Sequence, residues 1–200
     1  MWGLGAKITF HPSRIAPKGS WTILILDDRD QAGALGYHDS NDSTPSAKVF
    51  AKTDKDNHLS WTITLRHEVL EMIADADINL CVFEQTSGTA GTLYAYEVCD
   101  PCEDDADGYQ IDGIWVSDFI TPDYFLTGLP AGTKYDFMGK ISKPFGLRTN
   151  GYIRYFTVAT GRGWQQRFAQ GNIGARYKVK KSEKQIGSRT IQRAGNWNRT

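Results

Sequence analysis

The sequence predicts an α+β fold: a mixed sheet packed by one long helix, followed by a basic C-terminal extension. Three observations predict it. Residues 20–26 (Ser-Trp-Thr-Ile-Leu-Ile-Leu) form an apolar run closed by Asp27-Asp28, as a buried strand would. Residues 60–76 repeat apolar side chains at helical spacing behind a candidate N-cap, Ser60. From Arg148 onward there are twelve Lys or Arg against one acid, Glu183, so a neutral chain divides into an acidic part and a basic one.

The elements follow in order. After the first strand, the glycine-rich stretch 32–39 reads as a loop, and residues 40–46, polar with a proline, as another. Residues 47–52 alternate like a half-buried strand, and 54–58 form a polar turn before the helix. Residues 92–98 suit either a strand or the first turns of a second helix. Residues 109–119 alternate around Asp112-Gly113, the signature of a β-hairpin. Residues 153–158 give one more strand. Beyond about Gly161 apolar periodicity fades. The organisation expected is therefore a domain over 1–147 and a Gly-rich, basic extension over 148–200 that docks on a neighbour.

Composition narrows the classes. The chain has 200 residues with 40% hydrophobic content, enough for one sizeable core. No run of 18 apolar residues exists, so no membrane span is expected. The N-terminal residues lack the basic-then-apolar pattern of a secretory signal, and synthesis in a cytoplasm is the default expectation. Three cysteines (Cys81, Cys99 and Cys102) argue against a disulfide framework. Cys99 and Cys102 have the C-x-x-C spacing of a zinc or redox pair. A structural zinc needs two further soft ligands, and an acidic loop follows where a redox motif would start a helix.

The chemistry concentrates in His67-Glu68-Val69-Leu70-Glu71. A 3.6-residue period puts His67 and Glu71 on one face, where both can grip a divalent ion, and sets Glu68 beside them within reach of a bound water. This is the spacing of the H-E-x-x-H zinc-protease helix with a carboxylate in place of the second imidazole, which suits zinc less well and a harder ion better. A solvated helix face with local ion pairs is the plainer alternative. Residues 97–118 add eight acids and no base.

The strings GYHD (36–39), AKVFA (47–51), LRHEVLEMIAD (65–75), YEVCDPCEDD (96–105) and GYQIDGIWVSDFITPDYF (108–125) together resemble a group of uncharacterised zincin-like proteins encoded by bacteriophages and bacterial genomes. The resemblance covers roughly residues 21–125. It implies a zincin-like sheet and metal-face helix, with His67, Glu71 and Glu97 as ligands and the third ligand on a later helix. A metzincin-like alignment offers Asp77 instead, but Ala74 then stands where a turn-forming glycine is needed. Asp75 and Asp100 are the remaining candidates. In a working site Glu68 would be the general base. Two carboxylate ligands donate more charge than one and leave the bound water less acidic, so a degenerate, structural site is expected.

The resemblance implies a virion component (capsid, neck or tail), made in the host bacterial cytoplasm and assembled with copies of itself or with other virion proteins. The alternative is an active metallohydrolase of the peptidase kind. For the basic extension, Trp164, Arg167, Phe168, Arg176, Lys178, Arg189, Arg193 and Trp197 are the expected partner-binding residues. Docking on an acidic protein surface is favoured there over nucleic acid.

Overall fold

The computed structural model describes residues 1–12, 15–41 and 44–169. The fold is mixed α+β, with three sheets and few helices among these residues. None of the helices is long and apolar enough to cross a membrane.

The first sheet has the order β1-β3-β2, built from β1 (Thr22–Leu26), β2 (Gly36–Asn41) and β3 (Thr44–Phe50). The apolar run at 22–26 pairs in parallel with β3, and β2 runs antiparallel along the other side of β3 as the edge strand. The glycine-rich stretch expected as a loop therefore contributes a strand. Gly-Tyr-His-Asp-Ser-Asn has poor strand propensity, and the ladder to β3 overrides it. Strand β3 ends two residues earlier than expected. At Ala51 the chain enters helix α1 (Ala51–Asp56), whose Lys52 and Asp56 pair at i,i+4 spacing.

Helix α2 (Trp61–Ala74) lies against this sheet. Ser60 stands at its N-cap as expected, but the hydroxyl bonds Thr62 Oγ1 at 2.9 Å instead of capping a backbone amide. Asp75 ends the helix. Its carboxylate accepts the amides of Asn79 (2.9 Å) and Leu80 (3.1 Å), and the chain turns away through Ile78 at φ 52°. Both faces of α2 are turned inward. Ile63, Val69 and Met72 are buried on it, and so are His67, Glu68 and Glu71.

The second sheet, β4-β5-β8-β9, comprises β4 (Cys81–Ser87), β5 (Ala90–Ala95), β8 (Tyr152–Thr157) and β9 (Gln165–Phe168), all neighbours antiparallel. The ambiguous segment after Thr92 is thus a strand that ends at Ala95. Between β5 and β8 lies the short hairpin of β6 (Tyr109–Ile111) and β7 (Ile114–Val116). Its turn residues Asp112 and Gly113 sit at φ 50° and 80°, the left-handed values of the Asp-Gly turn expected there. Val98, Cys99, Cys102, Ile120, Tyr124, Phe125, Tyr135, Ile141 and Ile153 close the main core.

The chain does not leave the domain at residue 148. The Arg148 amide donates to Pro101 O at 2.9 Å, and its guanidinium grips Asp107 through two bonds, of 2.7 and 3.0 Å. Strands β8 and β9 then complete the sheet. Trp164 packs on Phe156, Phe168 packs on Tyr152, and Arg167 donates to Phe145 O at 2.8 Å. These three side chains, expected on a neighbour, are engaged within the domain. Strand β8 matches the strand expected at 153–158, whereas β9 was not expected because Gln165-Gln166-Arg167-Phe168 carries no apolar alternation. Arg176, Lys178, Arg189, Arg193 and Trp197 lie outside the described residues.

Candidate metal centre

Three segments bring six ionisable side chains together. Helix α2 supplies His67, Glu68 and Glu71; edge strand β2 supplies His38; the loop after β5 supplies Glu97 and Asp100. His67 is the most exposed of them at 8%.

Register explains how His38 reaches the site. Ala47 and Val49 on β3 are buried beneath α2, and residues opposite one another in an antiparallel pair share a face. His38 is opposite Ala47 and Gly36 is opposite Val49, so both face the helix, whereas Tyr37, opposite Lys48, points away and bonds Asp30. The approach is close at Gly36. A Cβ there would lie 2.7 Å from Thr64 Cγ2 and 3.0 Å from Glu68 Oε1, so only glycine lets the strand come this near.

The contacts within the cluster are specific. His38 Nδ1 lies 3.2 Å from Glu68 Oε2 and 3.4 Å from Glu71 Oε2, and its Nε2 faces Glu97 Oε2 at 3.9 Å. His67 Nε2 lies 3.4 Å from Glu71 Oε1 and 3.3 Å from Asp100 Oδ1. The Cys99 amide donates to Glu71 Oε1 at 3.3 Å, tying the loop to the helix. Asp100 Oδ2 is buried and accepts no hydrogen bond among the described residues.

Burial raises the Glu71 carboxyl, the nearby Asp100 charge adds to the rise, and the group is brought to about 7 despite His67. Burial alone would lower the His67 imidazole. The charge of Glu71 and the hydrogen bond to Asp100 outweigh it and hold the group well above its ordinary value. Buried carboxylates this crowded, beside two imidazoles, are groups that a divalent ion can draw together as ligands.

Two groups have ligand atoms within 4.8 Å of one another: His38, Glu71 and Glu97, and His67, Glu71 and Asp100. These buried His, Glu and Asp side chains could hold a metal ion. The expected trio of His67, Glu71 and Glu97 is divided between the two groups. Asp100, an alternative from sequence, joins His67. Asp75 spends its carboxylate on backbone amides at the helix end, and Asp77 is exposed on the following turn. Glu97 stands in a loop before the 3-10 turn Asp100–Cys102, not on a second long helix. His38 was not foreseen. The signal that could have found it is the period of two that sets it on the face opposite Tyr37, once 36–41 is read as a strand.

Cys99 and Cys102 are free thiols in the main core. Burial drives both thiols well above their ordinary range.

Comparison with known proteins finds no matching family model, no matching curated protein and no matching solved structure.

Proposed function

We propose that this chain is a structural component of a bacteriophage particle, built on a zincin-like domain that holds a divalent ion for stability and not for hydrolysis. The observation that carries the reading is the seal around the ligands. A catalytic ion needs one open position reached by both water and substrate. Here every candidate ligand is buried, and Glu68, the residue that would act as base, bonds to His38. One His with two carboxylates in each group also leaves a bound water less acidic than a two-His site would.

A second observation supports the assembly role. The described residues between 3 and 19 form no helix or strand and leave Leu4, Ile8, Phe10 and Ile15 more than half exposed, Phe10 at 82%. The segment is tethered through Trp2, whose indole donates to Ile120 O at 2.7 Å and packs edge-on against Tyr96. An apolar arm that buries so little at home suits a subunit that completes its packing on neighbours. The resemblance of residues 21–125 to phage-encoded zincin-like proteins is the reason for proposing a phage particle as that assembly.

A metallohydrolase is the second reading, favoured by the position of Glu68 directly after a ligand in the H-E-x-x-E helix. A mass-spectrometric inventory of purified particles from a phage encoding this chain decides between them. The structural reading expects the chain at a fixed copy number per particle. Its absence from particles, with chelator-sensitive cleavage of a peptide panel by the purified chain, would replace that reading with the hydrolase.

A further inference from the structure

Glu71 belongs to both ligand groups, and its two oxygens face two different imidazoles. Oε2 lies 3.4 Å from His38 Nδ1, and Oε1 lies 3.4 Å from His67 Nε2. Resting on the metal-holding reading above, we propose that the site takes two divalent ions bridged by the Glu71 carboxylate. One is held by His38 and Glu97, the other by His67 and Asp100.

The charge balance favours two ions over one. Glu68, Glu71, Glu97 and Asp100 are four carboxylates, each at most 5% exposed. One divalent cation offsets two of those charges and leaves two buried, a costly arrangement in a medium of low polarizability. Two cations offset all four while both imidazoles stay neutral, the form in which histidine ligates.

The donor geometry points the same way. Glu68 holds His38 Nδ1 at 3.2 Å, on the side that Glu71 also approaches, and Nε2, facing Glu97, is the nitrogen assigned to ligate. One ligand atom each of His38, Glu71 and Glu97 lies within 4.8 Å of the others. A carboxylate that orients a histidine from behind is a recurrent arrangement at metal sites. On the other side, Asp100 presents Oδ1 to His67 at 3.3 Å. Its Oδ2 accepts no hydrogen bond among the described residues although the residue is 2% exposed, so the carboxylate has capacity left for an ion. A carboxylate with one oxygen on each of two ions sets them about 3.5–4 Å apart, the spacing of two-metal centres. One nitrogen and two carboxylates per ion suit Zn²⁺, Mn²⁺ or Fe²⁺ and disfavour soft cuprous ion.

The test uses the full-length chain, stripped with a chelator, reloaded with Mn²⁺ or Zn²⁺ and desalted. Metal content is read by mass spectrometry, and the Mn²⁺ form by low-temperature electron paramagnetic resonance. The expected result is two ions per chain with an exchange-coupled manganese spectrum. Asp100→Asn and Glu97→Gln should each retain one ion with an uncoupled six-line spectrum. One ion per wild-type chain would overturn the bridge while leaving the single-ion reading intact. Two uncoupled ions would overturn it as well. No bound ion of either metal would sink both readings. Should the variants fail to fold, judged by circular dichroism, the wild-type stoichiometry and spectrum still decide.

Discussion

His38 Nδ1 and Glu68 Oε2 lie 3.2 Å apart, joining the edge strand of the first sheet to the helix beneath it across 30 residues of sequence. The bond makes the position of β2 part of the site: the strand can shift relative to α2 only by moving an imidazole away from Glu68, Glu71 and Glu97 together. The site is therefore as rigid as the strand–helix contact, and Gly36 sets how close that contact is.

Gly36→Ala tests the contact. Its Cβ would meet Thr64 Cγ2 at 2.7 Å and the Lys48 carbonyl at 3.0 Å, a backbone atom that cannot give way cheaply. We expect a loss of about 1–3 kcal/mol in urea unfolding, typical of overpacking, together with weaker metal binding by titration. An unchanged midpoint and affinity would mean that the strand is free to move.

Glu68→Gln separates orientation from catalysis. The amide keeps the shape but cannot hold the His38 tautomer as a carboxylate does. Metal affinity should fall roughly 10–100-fold, the usual cost of losing such a partner, with no chelator-sensitive peptidase activity in either protein. Hydrolysis by the wild type that vanishes in the variant would make Glu68 a base after all.

A buried carboxyl pair away from the site predicts a pH dependence. Burial, and then a hydrogen bond shared with Asp136, raise the Asp118 carboxyl from 3.8 to about 7. The folded state therefore holds a proton that the unfolded chain releases, so this contribution is full below about pH 4 and is lost as pH rises through 7. Asp118→Asn keeps an acceptor for the Phe119 and Met138 amides. The variant should match the wild type near pH 4 and exceed it at pH 8, by on the order of 2 kcal/mol. Equal stability across that range would show that the pair carries no shared proton.

Truncation after residue 147 removes β8 and β9, with buried Tyr152 and Ile153, and releases Asp107 from Arg148. We expect that chain to lose its cooperative thermal transition, and a chain ending at residue 169 to keep one. A cooperative transition in the shorter chain would return residues 148–169 to the role of an extension.

What the sequence revealed follows from which signals are local. Helix α2 and its ionisable face depend on a 3.6-residue period carried by His67, Glu68 and Glu71 themselves, and the hairpin on the Asp112-Gly113 turn. Both can be read from a short window. His38 could not be read this way. Its segment has the composition of a loop and becomes a strand only because β3 offers a ladder. The pairing of Asp100 with His67 is likewise tertiary, set by a loop that the Cys99 amide ties to Glu71. Strand β9 carries a single apolar residue, Phe168, too little to show a period, and its place at the sheet edge depends on β8.

The central claim is that the buried ligands hold divalent metal for stability, and the thermal midpoint of the full-length chain tests it most directly. The chain is compared metal-free and with Zn²⁺ at a free concentration near 100 times the dissociation constant. Binding at that level adds about 2.7 kcal/mol, which for a domain of this size raises the midpoint by roughly 5–10 °C. That rise is expected in the wild type and is expected to be lost in Glu71→Gln, the residue common to both ligand groups. A midpoint indifferent to Zn²⁺ and to chelator, in a chain that retains no metal, would contradict it.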